Sequence, residues 1–379
     1  MSAAKARQPL RFFRHAPRAI ALFLIASIFM CSCAPAHADR TSVTILDQQD
    51  RAIECKKSDV KPTRGVSILT GKKSNAAYQP VLIEYNNENG GINSSIPYGI
   101  SAASIVYEYQ TNTNGTMGIS ALFQDTLPSK VGPIGDASVG GAMVQNDWKC
   151  GYVYQDMPKD NEGNLTELGY SIQMWFASQN ALTSHVLYPA NVGRFKAWKK
   201  YFKEDLSIFT AYRNFVDISG IQSLLTESGV SPTSVPFHFI GKKDKPQGDV
   251  TIQEIDISGP SRTYYSGFVF NTSDKLYYRW VGKSQYLDGE TGKQLAFSNV
   301  IIQRVDYITS NGLMAPNTIG KGNAEIFING LYIEGYWVRE STDDHTRFYD
   351  SEGNPLRLAP GKTFISFQTM QTPIILIDW

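Results

Sequence analysis

The stretch AEIFINGLYIEGYWVRE (residues 324–340) sets two runs of β-branched and aromatic residues on either side of Asn329-Gly330, and its reading decides the fold of the second half of the chain. Such runs favour strands, and an Asn-Gly step between them favours a tight hairpin turn. Side chains alternate across a strand, so Glu334, Tyr336, Val338 and Glu340 share one face and Gly335, Trp337, Arg339 and Ser341 the other. Trp337 and Arg339 are then neighbours, ordinary cross-strand pairs of a half-exposed sheet or, alternatively, able to stack a ring or clasp a carboxylate. DDHTRFYD (343–350) follows, with His345 and Arg347, and can supply the opposing hairpin arm.

Outward from this hairpin the same signal recurs in VTIQEIDI, TYYSGFVFN, KLYYRWVG, NVIIQRVDYI, TFISFQ and PIILID, separated by turn sequences such as NTSD, DGETG and SEGNP. Residues 235–379 therefore read as a β-rich, mainly antiparallel domain. Residues 65–234 read as mixed α/β: YQPVLIEYNN, ASIVYEYQT and GISALFQDT as strands, and SIQMWFASQNAL, PANVGRFKAWKKYFKEDL and SGIQSLLTES as helices. The fold class is α+β. Residues 39–64 are polar and read as a tether with one short strand, TSVTIL.

Residues 1–38 hold five cations and no acid, and the apolar run from Ala19 to Met30 is 12 residues long. That is the layout of a secretory signal peptide, and it is well short of the roughly 20 residues a spanning helix needs. The mature chain is expected outside the cytoplasm. Two cleavage sites compete: one before Cys33, where lipidation would leave a membrane-anchored lipoprotein, and one after Ala38, which would release a secreted chain. The lipoprotein reading is adopted. Either cut leaves Cys55 and Cys150 as the only thiols, open to a disulfide or to two separate buried positions.

Removal of the leader leaves 31 cations against 35 acids, and no basic stripe with interleaved aromatics stands out, which argues against nucleic acid. Beyond residue 38 there are three histidines, His185, His238 and His345, and none has metal-ligand spacing, so neither a metal nor a cofactor is expected. His238, in PFHFI, reads as a packed strand residue. The loop VGPIGDASVGG (131–141) concentrates Gly132, Gly135, Gly140 and Gly141 around Asp136 and Ser138. It could form an anion-holding nest of N–H groups, or a turn leading from strand to helix.

These segments resemble the YerB-like family of bacterial lipoproteins, from about Pro62 to Thr369. SAASIVYEYQTNTNGTMGISALFQDTLPSKVGPI is similar to the family's IVYE strand, its RF-x-A-x-F segment and its GPVRSAR loop; SHVLYPANVGRFKAW is similar to a segment that begins His-x-Leu-Tyr, here His185 to Tyr188. The longest agreement is YLDGETGKQLAFSNVIIQRVD followed by GNAEIFINGLYIEGYWVRESTDDHTRFYDSEGNPLRLAPGKTFI. The family's loop arginines are replaced by Gly135 and Ser138, Asp136 adds an acid, and a third arginine corresponds to Gly118. An anion site in that loop is thereby weakened, whereas Arg339 and Arg347 keep positive residues that the resemblance implies.

The expected function is a non-catalytic binding or scaffold protein of the cell envelope. Its partner would be a wall glycan or an envelope protein, met through Gly132, Gly135, Asp136, Ser138, His185, Tyr188, Trp337, Arg339 and Arg347. The alternative is an envelope glycan hydrolase or transferase using Asp136, Glu108 and Asp156 as acid and base.

Overall fold

The computed structural model describes residues 42–47, 50–75, 80–86, 96–157, 201–207, 213–227, 236–241, 247–248, 250–258, 265–310 and 313–378, together with residues 162, 164–166, 169, 186–187 and 244. Its centre is an eleven-stranded sheet. The strand order is Val250–Thr251, Leu331–Arg339, Gly320–Ile328, Asn299–Arg304, Thr363–Gln368, Ile105–Gln110, Met117–Phe123, Val81–Tyr85, Gly151–Val153 and Val186–Leu187, with Arg347–Asp350 also paired to Leu331–Arg339. The hairpin expected around Asn329-Gly330 forms with Ile328 opposite Leu331, and Arg347–Asp350 adds the third arm. Asn329 and Gly330 both take positive φ, 55° and 82°, as the Asn-Gly turn requires.

Strands of the mixed and the β-rich regions meet inside this sheet. Thr363–Gln368 lies parallel to Asn299–Arg304 on one side and to Ile105–Gln110 on the other, with Thr363 opposite Ile105. Asn299–Arg304 and Thr363–Gln368, like Val81–Tyr85 and Met117–Phe123, are buried along their whole length, and Ile105–Gln110 up to its last residue, because both faces are covered. One face, with Leu82, Tyr107, Ile301 and Ile365, packs on the Val139–Trp148 helix. The other, with Ile83, Val106, Ile302 and Phe364, packs on the Ile218–Glu227 helix and on a six-stranded sheet that includes Glu254–Ser258, Tyr265–Asn271, Leu276–Val281 and Ile374–Ile377. Alternate residues of one strand thus feed two apolar layers. Together the two layers take the large apolar side chains that compose them out of water, at about 25 cal/mol per Å².

Residues read as a polar tether are in part a docked hairpin. Ser42–Leu46 and Ala52–Lys56 pair antiparallel, and Ile45 and Cys55 pack on Tyr336, Val338 and Tyr349. The alternation apolar-in, polar-out is confined to so few residues that the segment reads as polar overall. Phe202–Glu204 pairs with Asn214–Val216, so the helix expected over 189–206 does not extend through its last residues. The rest of that helix and SIQMWFASQNAL lie outside the described residues. Among the described residues no helix is long and apolar enough to cross a membrane.

Candidate functional site

The Gly-rich loop lies in the interior. Gly132, which a cis peptide joins to Pro133, donates its N–H to Tyr98 O, Ile134 to Asn214 O, Gly135 to Glu84 O, Ala137 to Asp156 O and Ser138 to the Tyr152 hydroxyl. Those N–H groups are consumed by the chain itself, so the nest reading loses its donors. A side chain at Gly135 would come 2.7 Å from Tyr85 O; one at Gly140 would enter the Tyr109 ring, and one at Gly141 would strike the Glu84 carboxylate and Tyr152. The glycines are there for close approach. Ser138 caps the helix that follows, its Oγ accepting from Gly141 N at 2.9 Å.

Beneath this helix start sits Glu84, fully enclosed. Tyr109 donates its hydroxyl to Oε1 at 2.9 Å; Ser120 and Tyr152 donate theirs to Oε2 at 2.8 and 2.6 Å; Ser138 Oγ in turn donates to Tyr109. Burial pushes the Glu84 carboxyl up to about 7, against the lowering effect of these hydroxyls. A carboxyl at that value could serve as a general acid, but it lies under a helix and lines none of the three clefts described for this fold. Chemically the cluster can hold a proton and orient the loop. Nothing in the sequence singles out Glu84 within VLIEY.

The remaining expected site residues are mostly structural in their placement. Glu108 forms a wholly buried ion pair with Arg279 at 2.7 Å, and the guanidinium lies over the rings of Tyr286 and Phe364. Asp136 is half-buried in the loop, and Asp156 accepts from Met157 N through Oδ1. Trp337 and Arg339 share a strand face as expected, yet that face is covered. Trp337 donates Nε1 to Arg304 O at 2.7 Å, and Arg339 donates to Asp344 O, Thr318 Oγ1 and Asn146 Oδ1 at 3.0, 3.2 and 2.5 Å. Arg347 grips Asp59 with two bonds of 2.6 and 2.8 Å and Asp344 with a third of 2.6 Å. Burial would raise the Asp147 carboxyl, but the Arg339 charge and the hydrogen bond from His345 outweigh it and hold the carboxyl below its ordinary range. The disulfide left open by the sequence does not form: Cys55 and Cys150 are free, buried, and belong to different apolar clusters. Burial pushes the Cys55 thiol up to about 11 and the Cys150 thiol well above its usual range. His185, Tyr188 and Cys33 lie outside the described residues.

Two adjoining clefts that the sequence did not reveal meet at His238 and Arg357. The larger, about 590 Å³, is lined by polar side chains including Asp244, Gln247, Asp350 and Asn354; the smaller, about 250 Å³, is walled by residues 60–68 and by Phe237 and Phe239. The short strands His238–Phe239 and Arg357–Leu358 pair in parallel and bring the two residues side by side. His238 is half-buried on its strand and donates Nε2–H to Ser58 O. Asp350 accepts from Gln247 and Asn354 side chains at 3.0 and 3.2 Å and from the Glu352 and Asn354 backbones at 3.0 and 2.9 Å. Asp244 accepts from Gly241 N at 2.8 Å and pairs with Arg357 at 2.7 Å, and these donors, the backbone first, lower its carboxyl pKa. No three His, Cys, Asp or Glu side chains among the described residues stand together to hold a metal.

The model of the domain described as "Protein of unknown function (DUF3048) N-terminal domain" matches residues 69–186, and that of "Protein of unknown function (DUF3048) C-terminal domain" matches residues 255–365, together more than half of the chain. The chain belongs to the DUF3048 family. It is also similar to the crystal structure of YerB protein from Bacillus subtilis, with a TM-score of 0.63 and 18% identity over 82% of this chain and 99% of that one. The likeness extends the resemblance seen in the sequence to the fold. No curated protein matches the chain. Within the DUF3048 frame, Glu84, Tyr109, Ser120, Ser138 and Tyr152 all fall in the N-terminal match. The clefts draw Asp350, Asn354 and Arg357 from the C-terminal match, whereas Ser58, His238, Asp244 and Gln247 come from segments outside both.

Proposed function

We propose that this DUF3048 protein is an extracytoplasmic lipoprotein, anchored through Cys33, that binds a hydroxyl-rich wall glycan in the 590 Å³ cleft without chemically altering it. The observation that carries this reading is the state of the cleft's acids. Asp350 accepts four hydrogen bonds and Asp244 is paired and lowered in pKa, whereas a general acid for glycoside cleavage needs a raised one. Planar amide, carboxylate and guanidinium groups held in fixed orientation are instead suited to reading hydroxyl positions. The leader, with its cations, short apolar run and Cys33, supports the location.

The test is to mix the leaderless chain with isolated cell-wall sacculi, pellet them, and analyse both fractions. Protein in the pellet, reduced at least fivefold by Asn354→Ala and with no sugar fragments released, is the expected outcome. Released fragments would make the protein a hydrolase and end the binding-only reading. Mass spectrometry of the mature N-terminus checks the anchor: a chain starting at Asp39 without lipid would remove it.

A further inference from the structure

The smaller cleft has a different chemistry from its neighbour. Lys61, His238 and Arg357 line it, its walls are apolar through Ile68, Phe237 and Phe239, and no acid is among its lining residues. Asp244 engages Nη1 of Arg357 from the neighbouring cleft; that side chain is half exposed, and a guanidinium has four further N–H donors. The segment forming one wall is also unusual in charge: residues 60–83 contain Lys61, Arg64, Lys72 and Lys73 and no acid, although the chain without its leader is net acidic. All four are exposed. The Val66–Lys73 bridge and the bonds from Ser67 N to Lys72 O and from Ser74 N to Gly65 O fold residues 65–74 into one compact turn; of the four cations, Lys61 lines the cleft, and Arg64, Lys72 and Lys73 stand outside its lining. Phe239 is held against the same turn at Gly71, where a side chain would collide with its ring. Lys61 and Arg357 beside an aromatic wall suit a ligand that is anionic at one end and apolar at the other.

We propose that the 250 Å³ cleft receives the phosphate of an anionic amphiphile, with Lys61 and Arg357 on the phosphate and Phe237 and Phe239 against the apolar portion. The source in view is the headgroup of an anionic lipid. The inference rests on the envelope reading only for bringing the protein near a membrane. Each cation near an anionic surface contributes about 1 kcal/mol, or roughly fivefold in affinity.

The experiment sediments the leaderless chain, which contains every described residue, with vesicles of phosphatidylglycerol and phosphatidylcholine and with vesicles of phosphatidylcholine alone, at 0.1 M salt. Binding to the anionic vesicles only, weakened about fivefold by Lys61→Ala and unchanged by Lys275→Ala on a turn that lines neither cleft, is expected. Calorimetry with soluble glycerol phosphate separates the sources: binding sensitive to Lys61→Ala there assigns the site to free phosphate esters, and its absence assigns it to lipid. Equal binding to both vesicle types, no binding to vesicles or glycerol phosphate, or full binding by Lys61→Ala would overturn the proposal. Loss of vesicle binding with sacculus binding intact would leave the glycan reading standing, and the reverse would remove that reading alone.

Discussion

Glu84 has been taken out of water and surrounded by three hydroxyls that donate to it, and its carboxyl is held near 7 in place of 4.5. The folded state therefore holds a proton that the unfolded chain releases. Its contribution is fully present below about pH 4.5 and is lost as the pH rises through about 7, amounting to roughly 3 kcal/mol at 1.36 kcal/mol per pH unit. Thermal denaturation between pH 5 and 7.5 should show this fall, and Glu84→Gln should flatten it; an unchanged slope in the variant would assign the pH dependence elsewhere. Gly141 faces the same cluster without room for a methyl group. Gly141→Ala should lower stability by about 1–3 kcal/mol in urea unfolding, whereas Gly292→Ala, at a turn with open space around it, should lose only the smaller penalty of its positive φ.

Among the elements, the Ile105–Gln110 and Leu276–Val281 strands are joined by Glu108 and Arg279, from the two regions of the sequence. Arg279→Met leaves an uncompensated buried carboxylate and should cost about 3–5 kcal/mol, while the double change Glu108→Leu with Arg279→Met should cost less than the single one. Equilibrium unfolding of the four chains in the cycle measures this. The docked hairpin is a second such element: Lys321 donates to Thr44 O at 2.7 Å, Lys57 pairs with Glu340, and Asp59 holds Arg347. Cys55 is sealed under it. Thiol titration with an aromatic disulfide should find almost no reaction in the native leaderless chain and two thiols in guanidinium, with no reductant needed for either.

At the scale of the whole molecule, the parallel contact between Thr363–Gln368 and Ile105–Gln110 makes one sheet from residues more than 250 positions apart. Unfolding followed by tryptophan fluorescence and by far-ultraviolet circular dichroism should coincide in one transition, since neither region can bury its central strands alone. Most of the strands could be read from the sequence, because alternation and β-branched content report whether a pleated segment will be buried, and turn residues report where it ends. VLIEY, IVYEYQ and TFISFQ were legible in that way, as was the hairpin from Ala324 to Glu340 with DDHTRFYD as a candidate third arm. The candidate site was far less legible. Trp337 and Arg339 were placed on the right strand face, but whether that face meets water depends on a helix almost 200 residues away. Cys55 and Cys150 look like a pair on a line of sequence and are separated by the layers of the fold. His238, Arg357 and Lys61 come from three short, weakly patterned segments, and only the folding of those segments around one corner makes a cleft. The sequence by itself determined most of the strands of the β-rich half, the fold class and the family, since these follow from local pattern and backbone sterics. Which residues are buried, paired or exposed together was decided only by the tertiary structure, because charge, desolvation and cavity shape depend on neighbours that are distant in the chain.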